Sequence, residues 1–147
     1  MLFKADTQHA LRALTVLASE RELLPNSRLA EKVGAPEPAL AKVLQRLSQH
    51  GLVSSRPGPG GGYALARGAD QIVLLDIVHL FEGPYFGRDC VFGLPRCSDE
   101  EPCPLHEGWK QVLQRILGLL GQHTVASLAE GRVPAQPWPS EGGGRPA

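Results

Sequence analysis

The chain carries no net charge, because fifteen Lys and Arg balance fifteen Asp and Glu. No global field therefore announces a nucleic acid. It also lacks any long apolar run. The N-terminal stretch MLFKADTQHALRALTVLA has an early Lys and an Arg inside its apolar part, and no stop-transfer segment follows. It reads as neither signal peptide nor membrane span, and the expectation is a cytoplasmic protein with no membrane partner. Cysteine is scarce. There are three in 147 residues, an odd number that leaves one thiol over from any intramolecular pairing. In a reducing compartment, clustered cysteines serve as metal ligands or redox groups sooner than as a staple. Catalytic signatures are missing too: no C-x-x-C near a βαβ pattern, no Ser/His/Asp constellation, no paired carboxylates, no dinucleotide fingerprint. The glycine-rich GPGGG at 58–62 is not followed by the Lys-Ser/Thr of a phosphate-binding loop. Nothing argues for an enzyme.

What is present is a series of short amphipathic helices interrupted by one hairpin. Ala10, Leu11, Leu14, Leu17 and Ala18 stand at helical spacing and predict a helix over residues 5–19. After ERELLPN, Asn26 or Ser27 is expected to cap a short helix, SRLAEKVG, that stops at Gly34. Leu40, Val43, Leu44 and Leu47 predict a third helix over 37–50, with Pro38 tolerated in its first turn. LVSS and GYALA read as two short strands joined by a protruding loop from Arg56 to Gly61. Residues 72–82 read as a fourth helix whose first positions also suit a strand. The cysteine segment reads as a loop. From Pro104 a longer helix begins, in which Trp109, Val112, Leu113, Ile116, Leu119 and Leu120 form one apolar stripe. Thr124 is placed to cap a last short helix. Beyond Gly131 the chain turns to Pro, Gly and Ser and is expected to be disordered.

Charge supports a division of labour. Residues 1–66 hold eight Lys/Arg against five Asp/Glu, and residues 67–147 hold seven against ten. The expected organisation is a DNA-binding unit over 1–66, a cysteine loop and dimerisation helix over 67–130, and a tail over 131–147.

The fold class expected is mainly α: a winged helix-turn-helix with a small two-stranded β wing and a long C-terminal helix. Such a unit suits duplex DNA, because the major groove admits one α-helix. The exposed face of the third helix offers Ala39, Lys42, Gln45, Arg46 and Gln49. Lys and Arg neutralise phosphates or bind guanine, and Gln pairs with adenine. The ribbon tip presents Arg56 to an adjacent minor groove. The blander alternative is a helical domain, even a protein-interaction adaptor, with these charges as its solvated face.

LAEKVGAPEPALAKVLQRLSQHGLVSSRPGPGGGYALAR resembles the Rrf family of winged-helix transcription regulators, which includes IscR, NsrR and RirA. GLVSSRPGPGGGYALAR is close to that family's wing signature, and LLDIVHLFEG resembles the helix after it. A cysteine loop before a long helix, with CPLHEGW at the junction, completes the likeness over residues 8 to about 130. The resemblance implies a homodimer, paired through the 104–122 helix, that binds a palindromic double-stranded operator, with repression and activation both left open. It maps the groove-reading helix onto Pro38 to Gln49, and the wing onto Arg56 and Gly58 through Tyr63, including Gly60 and Gly61. Pro38, Ala39 and Ala41 stand where relatives often carry polar residues, so no operator sequence is carried over.

Cys90 and Cys97 are separated by six residues and Cys97 and Cys103 by five, with His106 three beyond. Structural zinc sites favour tighter cysteine spacing. Iron–sulfur clusters also take thiolates, with histidine able to replace one. The residues alone leave zinc and cluster open, and a thiol switch beside them. The resemblance implies an iron–sulfur cluster, two-iron or four-iron, on Cys90, Cys97 and Cys103. In IscR-like members a histidine three after the last cysteine is the fourth ligand, matching His106. In NsrR-like members an aspartate of the partner's first helix serves, and the equivalent position here is Gln8, with Asp6 and His9 nearby. The spacing departs in one place, a first gap one residue longer than the family's usual five. His9 is expected to face solvent or the dimer seam. Asp99, Glu100 and Glu101, as hard donors, read as a solvated charge run.

Overall fold

A computed structural model describes residues 2–94 and 98–131. Cys97 and the segment expected to be disordered, from residue 132 onward, lie outside the described residues. The order is three helices, a hairpin and three more helices: α1 Ala5–Ser19, α2 Asn26–Val33, α3 Glu37–Gln49, β1 Val53–Arg56, β2 Gly62–Leu65, α4 Leu74–Glu82, α5 His106–Gln122 and α6 Val125–Glu130. Helix α1 is the hub. Its inner face, Ala10, Ala13, Leu14 and Leu17, is buried and packs against α2, α3, α4, α6 and β2. Small alanines on that face let several neighbours approach one helix. Leu29 and Val33 from α2, and Leu40, Val43, Leu44 and Leu47 from α3, close the same core. Each such aliphatic side chain contributes about 1.5–3 kcal/mol by leaving water.

The helix ends differ from the sequence expectation at the start of α2. Asn26 and Ser27 do not cap α2, since the N-cap is Pro25 and no side chain caps it. Asn26 instead lies inside the first turn, where its Nδ2 donates to the Glu37 carbonyl at 3.1 Å and ties α2 to the start of α3. Gly34, at φ 66°, closes α2 in the left-handed conformation its sequence position demanded. Helix α1 likewise has no side-chain cap of its own. Its N-terminus is served from 75 residues away, by Glu82 at the end of α4. Glu82 Oε1 accepts from the Lys4 N–H at 2.6 Å and from the Thr7 hydroxyl at 2.5 Å.

The wing pairs antiparallel, Val53 with Leu65 through Arg56 with Gly62. Arg56 is therefore the last rung of the ladder and not part of the loop. Tyr63 also exchanges backbone hydrogen bonds with Leu24, so the hairpin leans on the α1–α2 connection. That approach explains Gly62, where a Cβ would stand 2.4 Å from the Leu24 carbonyl carbon. Gly61 is equally constrained, with a Cβ position 2.0 Å from the Arg56 oxygen.

After a 3-10 turn at Ala69–Gln71, Ile72 and Val73 are extended, and Val73 pairs with Thr124. Helix α4 thus begins two residues later than the helix read from the sequence, and its first positions take the strand option. Thr124 caps α6 as expected, in a reciprocal capping box with Ser127. No described helix is long and apolar enough to cross a membrane.

Candidate nucleic-acid interface and cysteine loop

Helix α3 turns four residues to the core, which fixes what remains outside. Lys42, Gln45 and Gln49 are exposed and follow one another at helical spacing along the face opposite Leu40, Val43, Leu44 and Leu47. Ala39 is half-buried at the border of that face. Arg46 is exposed, yet its guanidinium lies over the Phe81 ring of α4, 5.2 Å from the centroid. A cation over a ring face is attracted by the ring quadrupole, so Arg46 is oriented by its own fold before anything binds.

At the wing, Arg56, Gly58 and Gly60 are exposed. Gly58 and Gly60 have positive φ and open space around them. Gly61 is buried, and its N–H already donates to the Gly58 carbonyl at 3.0 Å. Tyr63 is half-buried and packs against the core. Gly61 and Tyr63 therefore shape the wing from within, whereas Arg56 and the 57–60 turn form its outer surface.

The first arm of the cysteine loop is fastened to α5. Phe86 is buried beside Phe3, at a ring distance of 5.6 Å. Gly87, at φ 88°, passes so close to Leu117 that a Cβ would be 2.7 Å from its side chain. The Trp109 indole then donates to the Asp89 carbonyl at 2.7 Å. These contacts set the backbone immediately before Cys90. The far arm rejoins at Cys103, whose carbonyl accepts from the His106 N–H at 3.0 Å in the turn that starts α5. Val91 lines one small cleft together with Pro104, Leu105 and Trp109, which brings the neighbours of Cys90 and of Cys103 to the same helix end. Cys90 and Cys103 are free, half-buried thiols. Cys97 lies outside the described residues. Among the described residues, no three His, Cys, Asp or Glu side chains converge as a metal cage.

His106 is 7 % exposed, not a solvent-facing residue. Its Nε2 meets Asp99 Oδ1 at 2.8 Å, and the same oxygen accepts from Lys110 Nζ at 2.9 Å. Lys110 and then His106 hold the Asp99 carboxyl below its usual range. Asp99, Glu100 and Glu101 are all exposed, as read from the sequence, and Asp99 is in addition tied to His106 and Lys110. The reading of His9 is corrected, since it is buried within its own chain at 3 % exposure. Asp6 is exposed and Gln8 half-buried on the first turn of α1.

The single apolar stripe read on α5 divides. Leu113 and Leu120 are buried, and Ile116 and Leu117 pack on the core. Leu105, Val112 and Leu119 remain 52 %, 47 % and 60 % exposed. They stand seven residues apart, so they share one side of the helix. Helix periodicity explains the split: the apolar arc is wider than one neighbour covers, and α4 covers only its inner half.

Three helices, a glycine-tipped hairpin and an outward face bearing Lys and Gln define a winged helix-turn-helix DNA-binding protein. Comparison with known proteins narrows this to a family. The Rrf2 family, described as an iron-dependent transcriptional regulator, matches residues 3–131, and the chain belongs to it. It is thus a transcriptional regulator of helix-turn-helix type and not an enzyme, as the wing and cysteine-loop resemblance implied. A protein of Aquifex aeolicus, provisionally named an HTH-type transcriptional regulator, is 34% identical over 87% of this chain and 91% of its own. The HTH-type transcriptional regulator IscR of Photorhabdus laumondii is 29% identical over 87% and 79% respectively. Among solved structures, CymR, the global cysteine regulator of B. subtilis, superposes with a TM-score of 0.72 at 26% identity, covering 86% of this chain and 95% of that one.

Proposed function

We propose that the chain acts as a homodimer that binds a palindromic operator, with an affinity set by an iron–sulfur cluster in the cysteine loop. In this reading residues 1–66 contact DNA and residues 67–130 sense and pair. Lys42, Gln45 and Gln49 enter the major groove with Ala39 at its edge. Arg46, held by Phe81, meets the phosphates. Arg56 and the turn through Gly58 and Gly60 reach the neighbouring groove, on a wing shaped by Gly61 and Tyr63. Leu105, Val112 and Leu119 meet their copies across the two-fold axis.

The donor chemistry fits a cluster. Cys90 and Cys103 lie free at one end of α5, His106 is the first residue of that helix, and Cys97 supplies the third thiolate. A bound cluster would supply an oxygen-, nitric-oxide- or iron-responsive group at that end. The observation that carries the coupling is the junction of α3, α4 and the loop. Arg46 of the DNA-facing helix rests on Phe81, and the next residue, Glu82, caps α1 where the cysteine loop begins. A change in the loop thereby has a short packed route to the spacing of two α3 helices, which must sit about one DNA turn apart. A second reading, a thiol switch, is favoured by the same two half-buried thiols standing at one helix end.

The test is a duplex selected from a random pool by the anaerobically prepared protein, then titrated at two salt concentrations with the wild type and Cys97→Ala. A regulator's affinity should fall steeply with salt, and Cys97→Ala should alter it while the dimer stays folded. Affinity independent of salt refutes the DNA reading. Unaltered affinity in Cys97→Ala refutes control by the loop.

A further inference from the structure

Between α5 and the two arms of the cysteine loop lies a cavity of about 340 Å³. One wall is a single face of α5, running from His106 through Lys110 and Leu113 to Leu117. The other comes from the loop, with Arg88 on its first arm and Asp99 on its second. His106 borders the cavity, but neither Cys90 nor Cys103 lines it, and neither do Leu105, Val112 and Leu119. It is thus distinct from the described thiols and from the exposed apolar seam.

Its charges do not balance. Asp99 and Lys110 are paired at 2.9 Å and offset one another. Arg88 is exposed, and its backbone N–H donates to the Tyr85 carbonyl at 2.9 Å. Among the described residues no hydrogen bond or ion pair engages its guanidinium. One cation is therefore in excess, beside an apolar surface supplied by Leu113 and Leu117. An imidazolium at His106 would only add to that excess. Cavities of this size, apolar with a few convergent polar groups, are typical of small-ligand sites.

We propose that this cavity binds a small aliphatic monocarboxylate, whose carboxylate meets Arg88 and whose chain lies on Leu113 and Leu117. A guanidinium presents two parallel N–H donors to a carboxylate, with charge behind both hydrogen bonds. A cationic ligand would instead meet the like charges of Arg88 and Lys110. Because both loop arms and α5 line the cavity, one occupant holds the two arms against the helix. The inference goes beyond the DNA and cluster readings and requires neither a metal in the loop nor a duplex on α3.

The test titrates the full-length chain calorimetrically with hexanoate, and with hexanamide and hexylamine as neutral and cationic controls. Hexanoate should bind saturably with a Kd of about 1 mM, as befits so small a ligand, and both controls at least about tenfold more weakly. Arg88→Gln should weaken hexanoate about tenfold. Asp99→Asn removes the one negative charge of the lining, so it should tighten hexanoate by about threefold. Both side chains are exposed, so neither change should cost the fold. No saturable binding of hexanoate by the wild type overturns the proposal. So does a control that binds equally well, an unchanged affinity in Arg88→Gln, or an affinity in Asp99→Asn that fails to rise.

Discussion

Removing the Glu82 carboxylate isolates the tie between the root of the cysteine loop and the hub helix. One oxygen accepts from the Lys4 N–H and the Thr7 hydroxyl, and Thr7 is fully buried. Glu82→Ala leaves that hydroxyl without its acceptor inside the core, which costs about 1–3 kcal/mol. It also strips the N-terminus of α1 of the acceptor that stands in for a cap, worth about 0.5–2 kcal/mol. Both effects pass through one oxygen, so we expect about 2–3 kcal/mol in total and not the full sum. At about 4 °C per kcal/mol for a chain of this size, the melting temperature should fall by about 8–12 °C. Glu82→Gln keeps an acceptor and loses only the charge at the helix end, about 0.3–1 kcal/mol. Thr7→Val removes the donor itself, so it should cost clearly less in the Glu82→Ala background than in the wild type. Urea denaturation of the four proteins in that cycle gives the coupling, expected at about 1 kcal/mol or more. Additive effects within about 0.3 kcal/mol, or Gln as damaging as Ala, would refute the cap.

Gly61→Ala would place a methyl group 2.0 Å from the Arg56 oxygen. The wing turn should open at about 1–3 kcal/mol, seen as lost hairpin signals in NMR spectra and weaker DNA binding, with α1–α3 intact. Lys42→Ala should weaken binding to all duplexes alike and reduce the salt slope by about 1, whereas Gln45→Ala should relax the preference at one base pair by about 1–3 kcal/mol. Separate titrations on the selected and a scrambled duplex distinguish the two. Leu119→Glu puts a charge into an exposed apolar seam that a second copy is proposed to cover. A two-fold interface counts the change twice, about 2 kcal/mol each, so the dimer Kd measured by sedimentation should rise about a thousandfold. An unchanged sedimentation profile would place the seam elsewhere.

Much of the fold was legible because it rests on local periodicity. The i, i+3, i+4, i+7 spacing of Leu40, Val43, Leu44 and Leu47 determines both the buried face of α3 and, by exclusion, the outward Lys42, Gln45 and Gln49. Gly34 and the Thr124 cap are also local signals. What escaped depends on contacts distant in sequence. Nothing near Lys4 indicates that its helix is capped by Glu82, and no pattern at Arg46 reveals the Phe81 ring beneath it. Gly61 and Gly62 look like flexible spacers in the string GGG, until the approach of Arg56 and Leu24 gives each a steric reason. Asp99 sits among other acids and reads as exposed, which it is, while its tie to His106 and Lys110 escaped. The one available hint was its partners: a histidine and a lysine four residues apart on the next helix are spaced to share a single carboxylate.

Iron, acid-labile sulfide and zinc content of the anaerobically purified protein, taken with its visible spectrum, tests the proposed sensor most directly. A brown protein with equal iron and sulfide is the expected result, and the spectrum would then separate a two-iron from a four-iron cluster. A colourless protein holding stoichiometric zinc, or no metal at all, would contradict it.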